Sequence, residues 1–427
     1  MNKLVFAIAL SVVLAACGQN SESGSTGNNT LTPDPDNGGL ILPEGFSALV
    51  VAGEVGRGRH IQVNDNGDMY VSLRNHDENK GIVCLRDTTG DGKADIIEYT
   101  GEHTGTGIKL HNGYLYFGSD TAIVRYPMQE GELMPGTNWE MIAMGFPHES
   151  QHAAKTTEFD GNGNMYVNVG APSNACMEQM RTKGSRGMDP CPLLETTGGT
   201  WKFKEDMLNQ HQMEEGELYV TGIRHRFANF WNTNVDELYI VQHGRDQLHQ
   251  FFPDMYTTEE SAQLPAEEFL LAEEGADFGW PYCYYDQNNE KKVLAPEYGG
   301  DGETQGRCEA KHDPIIGFPG HMAPNDLIFY TGDMFPERYK NGAFIAFHGS
   351  WNRAPEPQKG YFVVFVPFDG KYPSGDWEIF AEGFAGTEVI NSTSDAEYRP
   401  CGLAQGPDGS LYVVDSNEGK IWRILYN

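Results

Sequence analysis

Basic residues are scarce. Lys and Arg number 30 against 61 Asp and Glu, which leaves a formal net charge of −31 on 427 residues. That balance excludes nucleic acid as a partner, because phosphate binding needs clustered Lys and Arg. Most of the surplus acid reads as a solubilising surface suited to an extracytoplasmic setting. Long apolar runs are also missing. Past the N-terminal segment none approaches the roughly 20 residues that a membrane-spanning helix needs. No heptads or apolar stripe point to a partner chain. Cysteine is sparse, with seven in all. No Cys-x-x-Cys-His occurs, so no c-type haem is attached.

The first cysteine belongs to a targeting segment. Lys3 supplies its positive end and residues 4–16 its short apolar run. It closes on Leu14-Ala15-Ala16-Cys17, which resembles a bacterial lipobox. The resemblance implies a diacylated Cys17 as mature N-terminus. Gly18, where an Asp would retain the protein at the inner membrane, favours the outer one. The expected location is the cell envelope, lipid-anchored and facing the periplasm or the surface. Residues 18–39, rich in Ser, Gly, Asn, Thr, Asp and Pro, read as a flexible tether. An exported chain with an even number of remaining cysteines suggests disulfides, although every pairing is open. Cys176 with Cys191 and Cys283 with Cys308 each close a modest loop. Cys84 with Cys401 would then staple the first unit of the fold to the last.

What the chain does have is one phrase, repeated. A tight turn leads into a buried apolar run with a tyrosine inside it. It reads Asn66-Gly67-Asp68-Met69-Tyr70-Val71, Asn112-Gly113-Tyr114-Leu115-Tyr116-Phe117, Asn162-Gly163-Asn164-Met165-Tyr166-Val167 and Asp408-Gly409-Ser410-Leu411-Tyr412-Val413. Two degraded copies are Val235-Asp236-Glu237-Leu238-Tyr239-Ile240 and Asn341-Gly342-Ala343-Phe344-Ile345-Ala346. Asn-Gly and Asp-Gly give the positive φ of a hairpin. A period of roughly 40–50 residues with one hairpin phrase per unit predicts an all-β fold, a six-bladed β-propeller of four-stranded antiparallel sheets over residues 40–427. Insertions fall between the third and fourth phrases and between the fourth and fifth. They are candidate walls of a site. Asp87, Asp91 and Asp95 alternate as in a calcium loop, but the bidentate Glu is absent, so a polar hairpin tip is the simpler reading.

In a propeller the first strand of each blade lines the central channel. Reading back from the turns places Arg59-His60, Ile108-Lys109, His152, Arg224-His225, Asn325 and Arg399 there. The returning strands add Arg74, residues 170–174, residues 242–246 with Arg245, residues 348–353 with Asn352 and Arg353, and Asp415. A cationic ring in an acidic protein implies either pairing with residues such as Asp246 and Asp415, or a flat polyanionic ligand. His152, followed by Ala153 and Ala154, leaves room for a substrate. Its imidazole suits proton abstraction from an alcohol.

Taken in order, several segments resemble one family. They are His152 with residues 165–170, Thr221-Gly222-Ile223-Arg224, residues 238–246, Phe278-Gly279-Trp280-Pro281, residues 348–353, and Arg399-Pro400 with Asp408-Gly409. The chain resembles the soluble quinoprotein glucose/sorbosone dehydrogenases, nearest the sorbosone and pyranose dehydrogenase branch. The resemblance implies a pyrroloquinoline quinone (PQQ) cofactor, a sugar substrate oxidised at C1 or as an aldehyde, and an external electron acceptor. It implies His152 as general base, with Arg224 and Arg399 on PQQ. It also implies that backbone carbonyls of the Gly279 and Pro281 turn hold a Ca²⁺ ion. Asn352, Arg353 and Arg245 join the cofactor set from the pattern. The sequence departs from the glucose enzymes at His225, where Asn is usual, and at Ala171, where an acidic residue orients the base. Asn174 is the expected substitute for that acid. Two rival readings are a sugar-binding propeller without turnover and a calcium-dependent lactonase, whose site would need convergent acidic side chains.

Overall fold

The turn phrases fold as their chemistry dictates. Gly67, Gly163 and Gly409 take φ of +89°, +87° and +86°, a region that a Cβ opposes. In the two degraded copies Asp236 and Asn341 take φ of +58° and +62°, residue types that tolerate it. These and all later observations come from a computed structural model that describes residues 1, 31–75, 78 and 80–427. Cys17, the apolar run and most of the tether lie outside the described residues.

Each turn joins an inner strand to a buried second strand. The inner strands are Gly58–Val63, Gly105–His111, Thr157–Phe159, Arg226–Asn232, Pro324–Phe329 and Pro400–Gln405. They touch one another in cyclic order and close a ring. Six sheets radiate from them, each an antiparallel meander. The expected six-bladed propeller is therefore the fold. The last blade is completed from the other end of the chain. Its outermost strand is Phe46–Ala52, paired with Ile421–Tyr426 in the register Phe46 to Tyr426. The second blade departs from four strands, because Gln210–His211 adds a short parallel fifth beside Glu140–Met144.

The tyrosine of the phrase has a packing role. Tyr70, Tyr116, Tyr166, Tyr239 and Tyr412 are all buried. The Tyr70 hydroxyl donates to the Leu133 carbonyl at 3.0 Å and Tyr239 to Lys371 at 2.9 Å, each on the neighbouring blade. The ring fills the gap between sheets while its hydroxyl finds a partner. Between the fifth and sixth blades Phe46 meets Phe335, Phe380 and Tyr339 edge-on at 4.8, 5.0 and 5.3 Å.

Two of the expected disulfides are present, Cys176–Cys191 and Cys283–Cys308. The third pairing is corrected, since Cys84 and Cys401 are free and buried. They occupy different layers. Cys84 is in the third strand of the first blade, opposite Tyr70 and Glu98. Cys401 is on the channel, where its Sγ faces Asn325 at 3.5 Å. The Asp87 loop is a self-satisfied tip. Asp87 accepts from the peptide N–H groups of Thr89, Gly90 and Gly92, Asp91 from Lys93, and Asp95 from Thr88.

Candidate active site at one mouth of the channel

The hairpin turns lie at one end of the channel, so the loops between second and third strands, 170–198 and 243–266 among them, gather at the other, and the stretch 272–315 between the third and fourth strands of the fourth blade reaches them through Trp280 and Glu297. His152 enters this mouth on the loop before the third inner strand, at φ +58°. Its Nδ1 lies 2.5 Å from the Ala171 carbonyl oxygen. A carbonyl can only accept, so Nδ1 carries the proton and Nε2 keeps its lone pair. The ring stacks on His225 at 4.3 Å and 18°. His225 in turn meets His243 edge-on at 5.1 Å. Burial, then the Arg224 charge, pushes His152 down to about 3. Burial lowers His243 to about 4, and holds His225 and His348 well below the usual imidazole range. The imidazoles at the mouth are therefore neutral near pH 7.

Ala171 was the position where an orienting acid is missing. Its own peptide carbonyl does the orienting. Asn174 does something else: it donates to the Asp246 carbonyl at 2.9 Å and accepts from the Asp246 N–H at 2.8 Å. Asp246 is the electrostatic hub. Its carboxylate takes Arg224 at 2.7 Å, Arg181 at 3.0 Å and the Asn352 amide at 2.8 Å. Burial would raise its pKa, but Arg224, His321 and Arg181 outweigh that and hold it below the ordinary value. Arg181, on the first insertion, had no sequence signal beyond being there. Arg224 also donates to the Gly244 carbonyl at 2.9 Å, yet its buried Nε has no partner.

Arg399 is held differently. It donates to the carbonyls of His348 at 3.2 Å and Gly349 at 2.6 Å, and to His348 Nδ1 at 2.9 Å. Of the Arg399 groups Asp415 takes the peptide N–H, at 2.6 Å, and its other oxygen accepts from the N–H groups of Asn417, Glu418 and Gly419. Arg59 reaches Cys401 Sγ at 4.0 Å and its Nε is a second buried donor without a partner. Among the described residues neither guanidinium pairs with a carboxylate. Further orphaned buried atoms here are His225 Nδ1, Asn325 Oδ1 and Asn352 Oδ1. Unsatisfied polar groups at this density need an explanation. Two cations without a carboxylate partner, with the orphaned donors Arg59 Nε and Arg224 Nε and two orphaned amide oxygens, fit a compact guest that bears carboxylates and also hydrogen-bond donors.

Two expected members of the set are corrected. Arg245 donates through one nitrogen to both Glu297 oxygens, at 2.6 and 2.5 Å, and through the others to the Asp246 carbonyl. Arg353 is buried against the carbonyls of Ala262, Gly320 and Pro357. Both guanidinia are spent on the protein, and neither is free for a ligand. The Gly279-Trp280-Pro281 turn is tied to the mouth by Trp280 Nε1, which donates to Asn174 O at 3.0 Å. The Gly279 carbonyl accepts from Cys283 N at 2.9 Å. Among the described residues no three His, Cys, Asp or Glu side chains are grouped to hold a metal. The turn alone does not complete a calcium shell.

Below the mouth the channel continues as a cavity of about 150 Å³ between His60, Lys109, Glu158, Asn229, Asp326 and Gln405. Lys109 pairs with Glu158 at 2.8 Å. No residue lining it has a buried polar atom without a partner.

Comparison with known proteins agrees with this architecture. A family model described as TrAA12-like matches residues 40–427. A pyrroloquinoline quinone-dependent pyranose dehydrogenase from Coprinopsis cinerea is 30% identical over 170 residues, 34% of this chain and 22% of that protein. The chain spans 49% and 22% of the first two curated relatives it matches. The holo pyranose dehydrogenase PQQ domain from Coprinopsis cinerea superposes with a TM-score of 0.73 at 18% identity, covering 90% of this chain and 97% of that one. A carbohydrate-active enzyme of family AA12 from Trichoderma reesei gives 0.74 at 16% identity, covering 94% and 100%.

Proposed function

The chain belongs to the TrAA12-like family, and from that premise we propose that it is a PQQ-dependent dehydrogenase that oxidises a sugar at the C1 hydroxyl or as an aldehyde. One observation carries the reading. At one mouth an imidazole, His152, keeps its proton on Nδ1, and two guanidinia of the same mouth, Arg399 and Arg59, have no carboxylate partner among the described residues. Arg399 and Arg59 would hold the cofactor's carboxylates, with Arg224 and Asn352 beside them. When bound, PQQ supplies an electron-poor quinone able to take hydride from the sugar. His152 accepts the hydroxyl proton at Nε2 as the C–H bond breaks. The Ala171 carbonyl stabilises the imidazolium so formed, because the Nδ1 proton already points at it. His225, stacked beneath, keeps one face of the ring dry. Arg224 makes the protonated state short-lived, which favours onward loss of the proton.

Calcium enters this proposal only as an ion that carbonyls such as Gly279 and Pro281 share with the ligand's own oxygens, and no step is assigned to it. The electrons leave to an external acceptor. Cys17 would carry the lipid, placing the propeller at the outer membrane. Radiolabelled palmitate should enter the wild type and not Cys17→Ala. Nothing among the described residues favours the lactonase alternative, which needs converging acids.

The decisive experiment is a titration of PQQ into cofactor-free protein, with and without calcium. Saturable binding with a rise in melting temperature, then dye reduction with some aldose, is expected. No thermal or absorbance response to PQQ would overturn the reading.

A further inference from the structure

We propose that Glu267 is a positioning residue that joins the two sides of the cofactor seat and fixes where Arg224 and Arg399 stand. Its meaning for the cofactor rests on the dehydrogenase reading above, while the link itself is a property of the cofactor-free chain.

Glu267 opens the third strand of the fourth blade, Glu267–Leu271, at its mouth end, and is 2% exposed. Neighbouring residues of a strand face opposite ways, and Glu268 accordingly meets Lys292 at 2.5 Å on the other face. Glu267 has no such counterpart: among the described residues no cation forms an ion pair with it. Its two oxygens accept instead from two peptide N–H groups, Gly244 at 2.8 Å and Ala323 at 3.0 Å.

Those two groups sit on separate loops, and each loop leads to one guanidinium. The Gly244 carbonyl accepts from Arg224 at 2.9 Å. The Ala323 carbonyl accepts the His348 N–H at 2.9 Å, and the His348 carbonyl accepts from Arg399 Nε at 3.2 Å. Met322, beside Ala323, takes the Gly349 N–H at 2.8 Å, and the Gly349 carbonyl holds Arg399 at 2.6 Å. One carboxylate thus stands midway along a chain of hydrogen bonds and peptide units that runs from Arg224 to Arg399. His321 and Ala323 take φ of +64° and +55°, backbone that persists only with outside support. A buried carboxylate without a cation is costly. An apolar side chain would avoid that cost but leave both N–H groups unpaired.

Burial pushes Glu267 up to about 7; the Ala323 and Gly244 N–H groups and Arg224 pull the other way, and Asp246 adds to the rise. The other groups on the packed loops titrate elsewhere. His243 is lowered to about 4, His321 is lowered by burial, and Asp246 is held below its ordinary value. Arg353 stays bonded to carbonyls. Lys155, on the loop that carries His152, is lowered by burial to about 8 and is the rival to be told apart. A carboxylate-bearing guest brings further negative charge to Arg224 and Arg399, so Glu267 takes up a proton as the guest binds. By linkage, a tenfold shift of its proton equilibrium weakens guest binding about fivefold between pH 7 and 9.

The test has two arms. The first uses cofactor-free full-length protein with ¹⁵N-labelled arginine. The Nε–H signals of Arg224 and Arg399, assigned from Arg224→Lys and Arg399→Lys, should shift together with one midpoint near pH 7. In Glu267→Gln, which keeps the shape but cannot accept at both positions, that shared transition should vanish. In the second arm PQQ is titrated calorimetrically in two buffers of different ionisation enthalpy. The wild type should take up part of a proton and bind about fivefold more weakly at pH 9 than at pH 7. Glu267→Gln should lose most of that dependence, and Lys155→Met should keep it. No transition near neutrality in the wild type, arginine signals that move separately, or a pH dependence unchanged in Glu267→Gln would each overturn the proposal. If the two signals shift together but PQQ never binds, the dehydrogenase reading fails and the link stands. If PQQ binds while the signals do not move together, the link fails alone.

Discussion

The two ends of the channel are built from the same strands and obey different rules. At the hairpin end charges are matched. Lys109 meets Glu158, and buried Asp326 accepts the N–H groups of Leu327 and Leu403. At the loop end, among the described residues, Arg59 and Arg399 face no carboxylate, His152 and Tyr361 hold left-handed backbone, and buried donors and acceptors are left over. A scaffold minimises such debts, while a binding site retains them for its ligand to settle. Function is therefore to be sought where the repeat breaks down.

That contrast can be broken at several points. The largest effect is on chemistry. His152→Ala at the mouth should lower sugar-dependent dye reduction by about 10³-fold, within the usual range for a lost general base, with the melting temperature unchanged. His111→Ala, beside the Asn112-Gly113 turn at the far end, should leave turnover within about threefold. Similar rates for the two variants would erase the distinction between the ends. Next come the buried charges. Asp246→Ala strands Arg224 and should cost about 3–5 kcal/mol of stability in denaturant unfolding, and weaken PQQ binding. Glu158→Gln should cost stability while PQQ affinity holds. The Cys176–Cys191 bridge closes 15 residues beside the mouth, so its double Ser variant should lose about 3 kcal/mol and part of its cofactor affinity.

Acid provides a subtler test. Burial lowers His152 to about 3 and His243 to about 4, from 6.5 in the unfolded chain. Between those values the unfolded chain binds protons that the folded one refuses. The stability these residues leave intact above about pH 6.5 is then lost progressively as pH falls toward 4 and 3. His243→Gln should flatten the fall in melting temperature over that window, and the rate should not drop near pH 6.5 as it would for an ordinary imidazole base. The smallest effect belongs to the surface. Asp87→Ala should cost about 1 kcal/mol, with no calcium-dependent shift in melting temperature in either form.

The hairpin end was legible in the sequence because its chemistry is periodic. Asn-Gly turns and tyrosine-bearing strands repeat, and they fixed the blade count and which strand faces the channel. His152, Arg224 and Arg399 were found by counting back from those turns. The rest of the mouth was opaque for definite reasons. The Ala171 carbonyl that orients His152 is backbone, which no residue type announces. Asp246 and Arg181 meet across separate loops. Arg245 and Arg353 looked equivalent to Arg399 by position, yet Glu297 and three carbonyls claim them. Cys84 and Cys401 share a buried character but lie in different layers, which a cysteine count does not see.

The strand Phe46–Ala52 has a consequence for how the protein is made. It emerges early from the ribosome, but its partner Ile421–Tyr426 follows only after all the intervening blades. Until then its hydrogen-bonding edge stays open, although Phe46 can already pack on Phe335, Tyr339 and Phe380. A prematurely stopped product could complete blades in its middle and still never shut the circle. Such fragments would be recognisable to proteases by that one open seam.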